Sequence, residues 1–344
     1  MDVRSVPTMG DPAVSSLFLD SSAHVPTLFE LPAPQRAALA ALGARLTADP
    51  VTEPDAFGRQ ARLLARELSV EVTEALWAFE ERGSDSGVLV LRGLEVGELP
   101  PTPADNTGGI GGRTLLARQQ AIVSHALGHM VGYAAEGHGH LLQDMVPNAR
   151  LAATQQSQGS RVELEAHTEQ CFSDLRPDYV VLGCLRGDAD AATYAFRALD
   201  LLAHVDPTDV MELFRPLWTT LVDESFADFL DTREVRGPFS ILSGDVDDPT
   251  MLVDQDLMHG ITKHAQALLE RVLEIYVAHR HAVVLQPGDV LLLDNLRAMH
   301  GRSPFAPRFD GTDRFISRGF VVRDLRRSRF ARPGGNRVVQ ASFS

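Results

Sequence analysis

Apolar and polar positions change rhythm near residue 86. Before that point the text is helical: residues 34–48 follow two prolines and are rich in alanine and leucine, and residues 55–82 repeat apolar positions at helical spacing. Ser86 to Gly93 is a short apolar run between glycines and predicts a strand, while residues 114–131 predict another helix. From residue 140 onward, strands are predicted at 140–146, 161–172, 178–186, 238–244, 281–286, 289–294 and 315–322. Helices are expected at 197–204, 208–222 and 262–278, with an insertion over about 197–235 lying outside the sheets as a cover. Strands that pair across insertions this long predict a mainly β protein with helical insertions. Its core would be a double-stranded β-helix, the jelly roll of cupin-like proteins, flanked by N-terminal helices. The expected division is a helical region over 1–84, a core over 85–330 and a tail over 331–344.

The strand text carries candidate chemistry. If residues 161–172 alternate regularly, His167 and Glu169 point to one face. A third ligand must come from elsewhere, and His300 follows a turn, an apolar run and a second turn over residues 286–295, which predicts delivery by a strand to a loop mouth. Two imidazoles and a carboxylate on one face of a metal leave its other positions open, as in non-haem Fe(II) oxygenases. Arg314 and Arg318 share a face of the next predicted strand, and each guanidinium can fork onto a carboxylate.

Composition narrows the partners. The 344 residues carry 46 acidic and 32 basic side chains, a formal charge of −14, which disfavours nucleic acid or an anionic membrane surface and favours small solutes. Two cysteines, Cys171 and Cys184, leave no disulfide framework or zinc ribbon, in keeping with a reducing cytoplasm. No signal-like N-terminus and no apolar stretch of about 18 residues is present, so a cytoplasmic, unexported protein is expected.

The segments Glu165-Ala-His-Thr-Glu-Gln-Cys-Phe172, Arg176-Pro-Asp-Tyr179, Leu182-Gly-Cys-Leu-Arg186, His300-Gly-Arg-Ser-Pro-Phe-Ala-Pro-Arg308 and Asp313-Arg-Phe315 resemble, in order, the clavaminate synthase-like branch of the Fe(II)/2-oxoglutarate-dependent dioxygenases. That branch includes β-hydroxylases of arginine, asparagine and lysine. The resemblance spans roughly residues 85 to 330 and implies that His167, Glu169 and His300 bind Fe(II), with 2-oxoglutarate and O2 as co-substrates. It also implies that Arg314, helped by the Thr193 hydroxyl, holds the distal carboxylate of 2-oxoglutarate, and that Arg318 grips the α-carboxylate of an amino-acid substrate.

Asp254 and Asp256, two apart on strand-like text, can face one point and would suit an ammonium or guanidinium. They resemble the acidic pair that holds the cationic side chain in arginine β-hydroxylases. Glu136 and Gln143 are candidates for the α-amine, Glu136 standing about where arginine hydroxylases carry glutamine. The expected reaction is hydroxylation of a free, basic L-amino acid such as arginine, lysine or citrulline at Cβ, with 2-oxoglutarate decarboxylated to succinate. Retention of Glu169 disfavours a halogenase. Desaturation or ring formation uses the same ligands and stays open, as do a sulfonate or other small acid, a carrier-bound or peptidyl amino acid, and a non-catalytic jelly-roll binder.

Other features take plainer readings. Gly108 to Gly112 lacks the Lys-Ser/Thr of a phosphate loop and reads as a mobile loop. His125 and His129, near His138 and His140, lack the glutamate of a zinc protease and read as packing histidines. Cys171 reads as a small core filler, and the basic stretch Arg323 to Arg332 as a solvated strand end.

Overall fold

Proline and hydroxyl side chains decide where the helices begin. The computed structural model describes residues 27–223 and 226–343. Helices α1 (Ala33–Arg45) and α2 (Pro54–Leu64) each open on proline, whose missing N–H costs nothing in a first turn. The Ser69 hydroxyl accepts from Val72 N–H at 3.4 Å to open α3 (Val70–Arg82), and Gly83, at φ 70°, closes it. The helix expected over 55–82 is therefore two, because the cap at Ser69 starts a new one. Thr114 caps α4 (Leu115–Leu127) and Gly128 ends it, so residues predicted as the last helical turn enter a strand instead.

The strands in chain order are β1 (Leu28–Glu30), β2 (Val88–Arg92), β3 (His129–Tyr133), β4 (Leu142–Met145), β5 (Leu164–His167), β6 (Tyr179–Arg186), β7 (Ala192–Arg197), β8 (Trp218–Thr220), β9 (Arg236–Phe239), β10 (Leu242–Gly244), β11 (Pro249–Met251), β12 (Met258–Gly260), β13 (His281–Val284), β14 (Val290–Asp294), β15 (Ala298–Arg302), β16 (Phe315–Val322) and β17 (Val338–Val339). Three further helices, α5 (Ala198–His204), α6 (Val210–Leu213) and α7 (Lys263–His279), lie between them. One sheet runs β1-β2-β14-β6-β16-β3-β17, with β4 also beside β16; the second runs β13-β7-β15-β5.

Side-chain parity builds the layers. On β14, Leu292 packs with α1–α4 while Leu291 and Leu293 face the second sheet, so the strand is apolar throughout, as a strand covered on both faces must be. On the second sheet Met299 and Phe196 turn outward against α7. The order is thus helices, large sheet, small sheet, helices, with the cavity between the sheets. This is the double-stranded β-helix with helical insertions.

Several expected elements differ. The helix expected over 208–222 is only α6 followed by β8, since Pro216 interrupts it and Trp218 is fully buried in a three-stranded sheet with β9 and β12. Strand β5 ends at His167, and Glu169 stands in the following turn, where Gln170 takes a positive φ of 53°. His300 is not at a loop mouth but in mid-strand, hydrogen-bonded between β5 and β7. Residues 254–257 form a turn rather than strand. The glycine loop is tied down by the Asp144 carboxylate, which accepts from Ile110 and Gly111 N–H at 2.7 and 2.8 Å. The basic stretch is not a solvated end either: the buried Arg332 guanidinium binds the Ser328 hydroxyl and the carbonyls of Leu325, Gly335 and Asn336, closing the C-terminal loop on itself. No helix among the described residues is long and apolar enough to cross a membrane.

Candidate active site

The register of β15 brings the ligand candidates together. His300 lies directly opposite His167 across the β5–β15 ladder, with ring centres 4.2 Å apart. Glu169, two residues past His167, returns its carboxylate to the same point, 4.0 Å from His300 Nε2. One donor atom from each of the three lies within 4.8 Å of the others, close enough to share one cation, and this is the one such group found among the described residues. His125 and His129, whose rings meet edge to face at 6.3 Å, stay packing residues.

The surroundings prepare these side chains for a metal. His167 Nδ1 lies 2.8 Å from the Glu165 carbonyl, which can only accept, so Nδ1 carries the proton and the Nε2 lone pair is free. Burial, then His167 and Arg318, holds the His300 pKa well below its ordinary value, leaving a neutral imidazole that can ligate. A hard carboxylate with two imidazoles fits Fe(II). Cys171 is no competitor: burial and the nearby Asp254 push its thiol well above the usual range, and it sits against Thr220 and Asp254 at 3.6 and 3.7 Å.

The triad opens on a cavity of about 470 Å³, the size of a site for two small ligands. At one end Arg314 and Thr193 line it. Arg314 is buried, and burial lowers its pKa more than Cys184 and the Asp188 carboxylate raise it. Such a cation fits a ligand that brings its own negative charge.

Arg318 reaches the cavity from mid-β16. It donates to both Glu169 oxygens at 3.4 Å, to Gln143 Oε1 at 2.6 Å, and to Glu136 in a short contact. Burial opposes its charge, but Glu136 and Glu169 hold its pKa above the ordinary value. Glu136 lines the cavity and accepts from Gln170 at 2.9 Å. Gln143 stands elsewhere than expected: it is the cross-strand neighbour of Arg318, buried behind it and outside the cavity wall, because β4 pairs with β16 at that position.

Asp254 and Asp256 both line the cavity, brought there by a turn instead of strand alternation. Asp254 Oδ1 accepts from Asp256 and Leu257 N–H at 3.1 and 2.9 Å, and its backbone bridges to His167. Burial raises the Asp254 pKa against the pull of His167. Glu165, Asp223 and Asp228, none of them singled out in sequence, join the acidic lining, and Glu165 is raised by burial and by Asp256 and Asp254. Their signal was only alternation on β5 and an acidic insertion, which solvated faces share.

Two other residues carry no recognisable sequence signal. Asn295 holds the backbone of Glu169, and Arg302 lines the cavity beside Arg314.

A family model for the taurine catabolism dioxygenase TauD, TfdA family, matches residues 237–319. The chain is 47% identical to the L-lysine 3-hydroxylase of Catenulispora acidiphila, over 96% of this chain and 94% of that protein. It is 33% identical to clavaminate synthase 2 of Streptomyces clavuligerus, over 85% and 91%. Among solved structures it resembles asparagine oxygenase in complex with Fe(II), 2S,3S-3-hydroxyasparagine and succinate, with a TM-score of 0.85, 30% identity, and coverage of 91% of this chain and 99% of that one.

Proposed function

The chain belongs to the clavaminate synthase-like Fe(II)/2-oxoglutarate-dependent dioxygenases, and we propose that it hydroxylates free L-lysine at Cβ. It is an Fe(II)/2-oxoglutarate-dependent hydroxylase of a free amino acid. The choice of lysine rests on the 47% identity to a lysine 3-hydroxylase together with the acidic lining.

One observation carries the reading. The two opposite recognition groups are each tied to a different member of the triad: the Arg318 side chain donates to Glu169, and the backbone of Asp254 bridges that of His167. An amino acid with its α-carboxylate on Arg318 and its side-chain ammonium toward Asp254, Asp256 and Glu165 spans the triad, and its Cβ lies in the short segment nearest the Arg318 anchor. Glu136, beside Arg318, takes the α-ammonium. Gln143 fixes the Arg318 guanidinium from behind instead of meeting the amine.

His167, Glu169 and His300 would hold the iron, and Arg314 with Thr193 the distal carboxylate of 2-oxoglutarate. When bound, iron and 2-oxoglutarate would supply the chemistry that activates O2, one oxygen atom entering the C–H bond as hydroxyl and the other ending in succinate as 2-oxoglutarate loses carbon dioxide. The protein's own part is placement. Arg318 and the acidic lining decide which C–H bond is presented, and the walls between the sheets limit the water around it.

The test is succinate release by protein supplied with Fe(II), ascorbate and 2-oxoglutarate, across lysine, ornithine, arginine, citrulline and asparagine, with mass detection of the product. Lysine is expected to gain one oxygen in step with succinate, and NMR to locate the hydroxyl on Cβ. Coupled oxygen transfer to another amino acid, with lysine giving only uncoupled succinate, overturns the substrate.

A further inference from the structure

Arg302 is a buried cation to which none of these roles assigns a task. It stands at the end of β15 opposite Thr193 on β7, so both side chains leave the sheet on one face, and both line the cavity with Arg314. Phe305 joins the two arginines: the guanidinium carbons of Arg302 and Arg314 lie 5.2 and 6.0 Å from the centre of its ring. Among the described residues no carboxylate lies in direct ion-pair contact with either, and Asp188 acts on Arg314 only from farther off.

Arg302 spends three N–H groups on backbone carbonyls, those of Ser303 at 3.1 Å and of Ser157 and Val162 at 3.4 Å. A guanidinium has five donors, so two remain. Both guanidiniums are buried against the same ring and the same cavity wall, which puts two like charges in one low-dielectric space. Such a pair is costly until an anion joins it.

We propose that Arg302 is a second cation for the distal carboxylate of 2-oxoglutarate, forming with Arg314 and Thr193 a two-arginine subsite that selects dicarboxylic over monocarboxylic 2-oxo acids. A carboxylate has about four lone-pair sites, enough for a guanidinium fork, a hydroxyl and a further N–H. This rests on the reading that 2-oxoglutarate occupies the cavity.

The test is calorimetric titration of the Mn(II)-loaded protein with 2-oxoglutarate and with 2-oxopentanoate, which keeps the keto-acid end and lacks the distal carboxylate. Arg302→Gln is expected to weaken 2-oxoglutarate by about tenfold or more while leaving 2-oxopentanoate unchanged. Arg302→Lys, which keeps the charge and loses the fork, should weaken 2-oxoglutarate less, and it shows the same contrast between ligands if the glutamine variant does not fold. Equal loss for both ligands, or no loss for 2-oxoglutarate, overturns the proposal. Failure of the wild type to bind 2-oxoglutarate overturns the proposed function as well, whereas binding without lysine turnover overturns only the substrate.

Discussion

Asn295 holds Glu169 by its backbone: the side-chain oxygen accepts the Glu169 N–H at 2.7 Å, and the amide nitrogen donates to the Glu169 carbonyl at 3.1 Å. The same nitrogen donates to the Pro177 carbonyl at 2.8 Å, so one fully buried amide closes the turn that carries the carboxylate ligand. Without it the backbone bonds from Thr168 to Val253 and from Ser173 to Gln170 remain, but nothing among the described residues pairs the Glu169 N–H and carbonyl themselves.

Asn295→Ala is therefore expected to lower metal affinity by about 10- to 100-fold, the usual effect of losing a group that orients a ligand. It leaves the buried Glu169 N–H unpaired, at a cost of about 1–3 kcal/mol. Titration with Co(II), followed by visible absorption and by thermal melting, reads both. Unchanged affinity and spectrum with a lowered melting temperature would reduce Asn295 to a structural residue.

His167→Ala and His300→Ala should each abolish coupled hydroxylation with the fold retained, because each removes one of three donors from a preformed cluster. Product mass spectrometry with circular dichroism checks this. Full activity in His300→Ala would sink the site assignment.

Arg314→Ala should raise the KM for 2-oxoglutarate by about 10- to 100-fold, from the loss of a charge-assisted contact in a buried setting. Steady-state kinetics at saturating lysine separates this from a change in substrate binding, which should stay small.

Asp254→Asn isolates charge from geometry. Asparagine still accepts from Asp256 and Leu257 N–H, so the turn survives, while the anion facing the cavity is lost. The KM for lysine is expected to rise by about tenfold or more, with the KM for 2-oxoglutarate and the melting temperature nearly unchanged. A neutral effect on lysine would point to a substrate without a cationic side chain.

Acid should destabilise the fold through His125. Burial, then Arg337, depresses its pKa to about 3, against about 6.5 for an ordinary imidazole, so between those values the unfolded chain binds a proton that the folded protein does not. Stability attributable to this residue is complete above pH 6.5 and falls as pH drops toward 3, by about 2 kcal/mol at pH 5. Melting curves at pH 7 and 5 for the wild type and His125→Gln measure it; the variant should lose less on acidification.

The cluster of His167, Glu169 and His300 and the two arginines in and just before β16 were legible because their chemistry is local. A His-x-Glu spacing, an isolated histidine after an apolar run and arginines four apart keep their meaning over a few residues, as do the proline and hydroxyl caps that start the helices. Asp254 and Asp256 were legible as a pair although the wrong backbone was expected for them, since a turn and a strand can both set carboxylates two apart at one opening.

Tertiary structure alone decided the rest, and the reason is register. Asn295 finds Glu169 across 126 residues, Gln143 finds Arg318 across 175, and Arg302 meets Thr193 only because β15 pairs with β7 at that step. A shift of one residue in any of these ladders would turn each side chain to the opposite face. Register is set by how whole strands bury their apolar faces between two sheets and a helical layer, a sum over many distant residues that no short window of sequence contains.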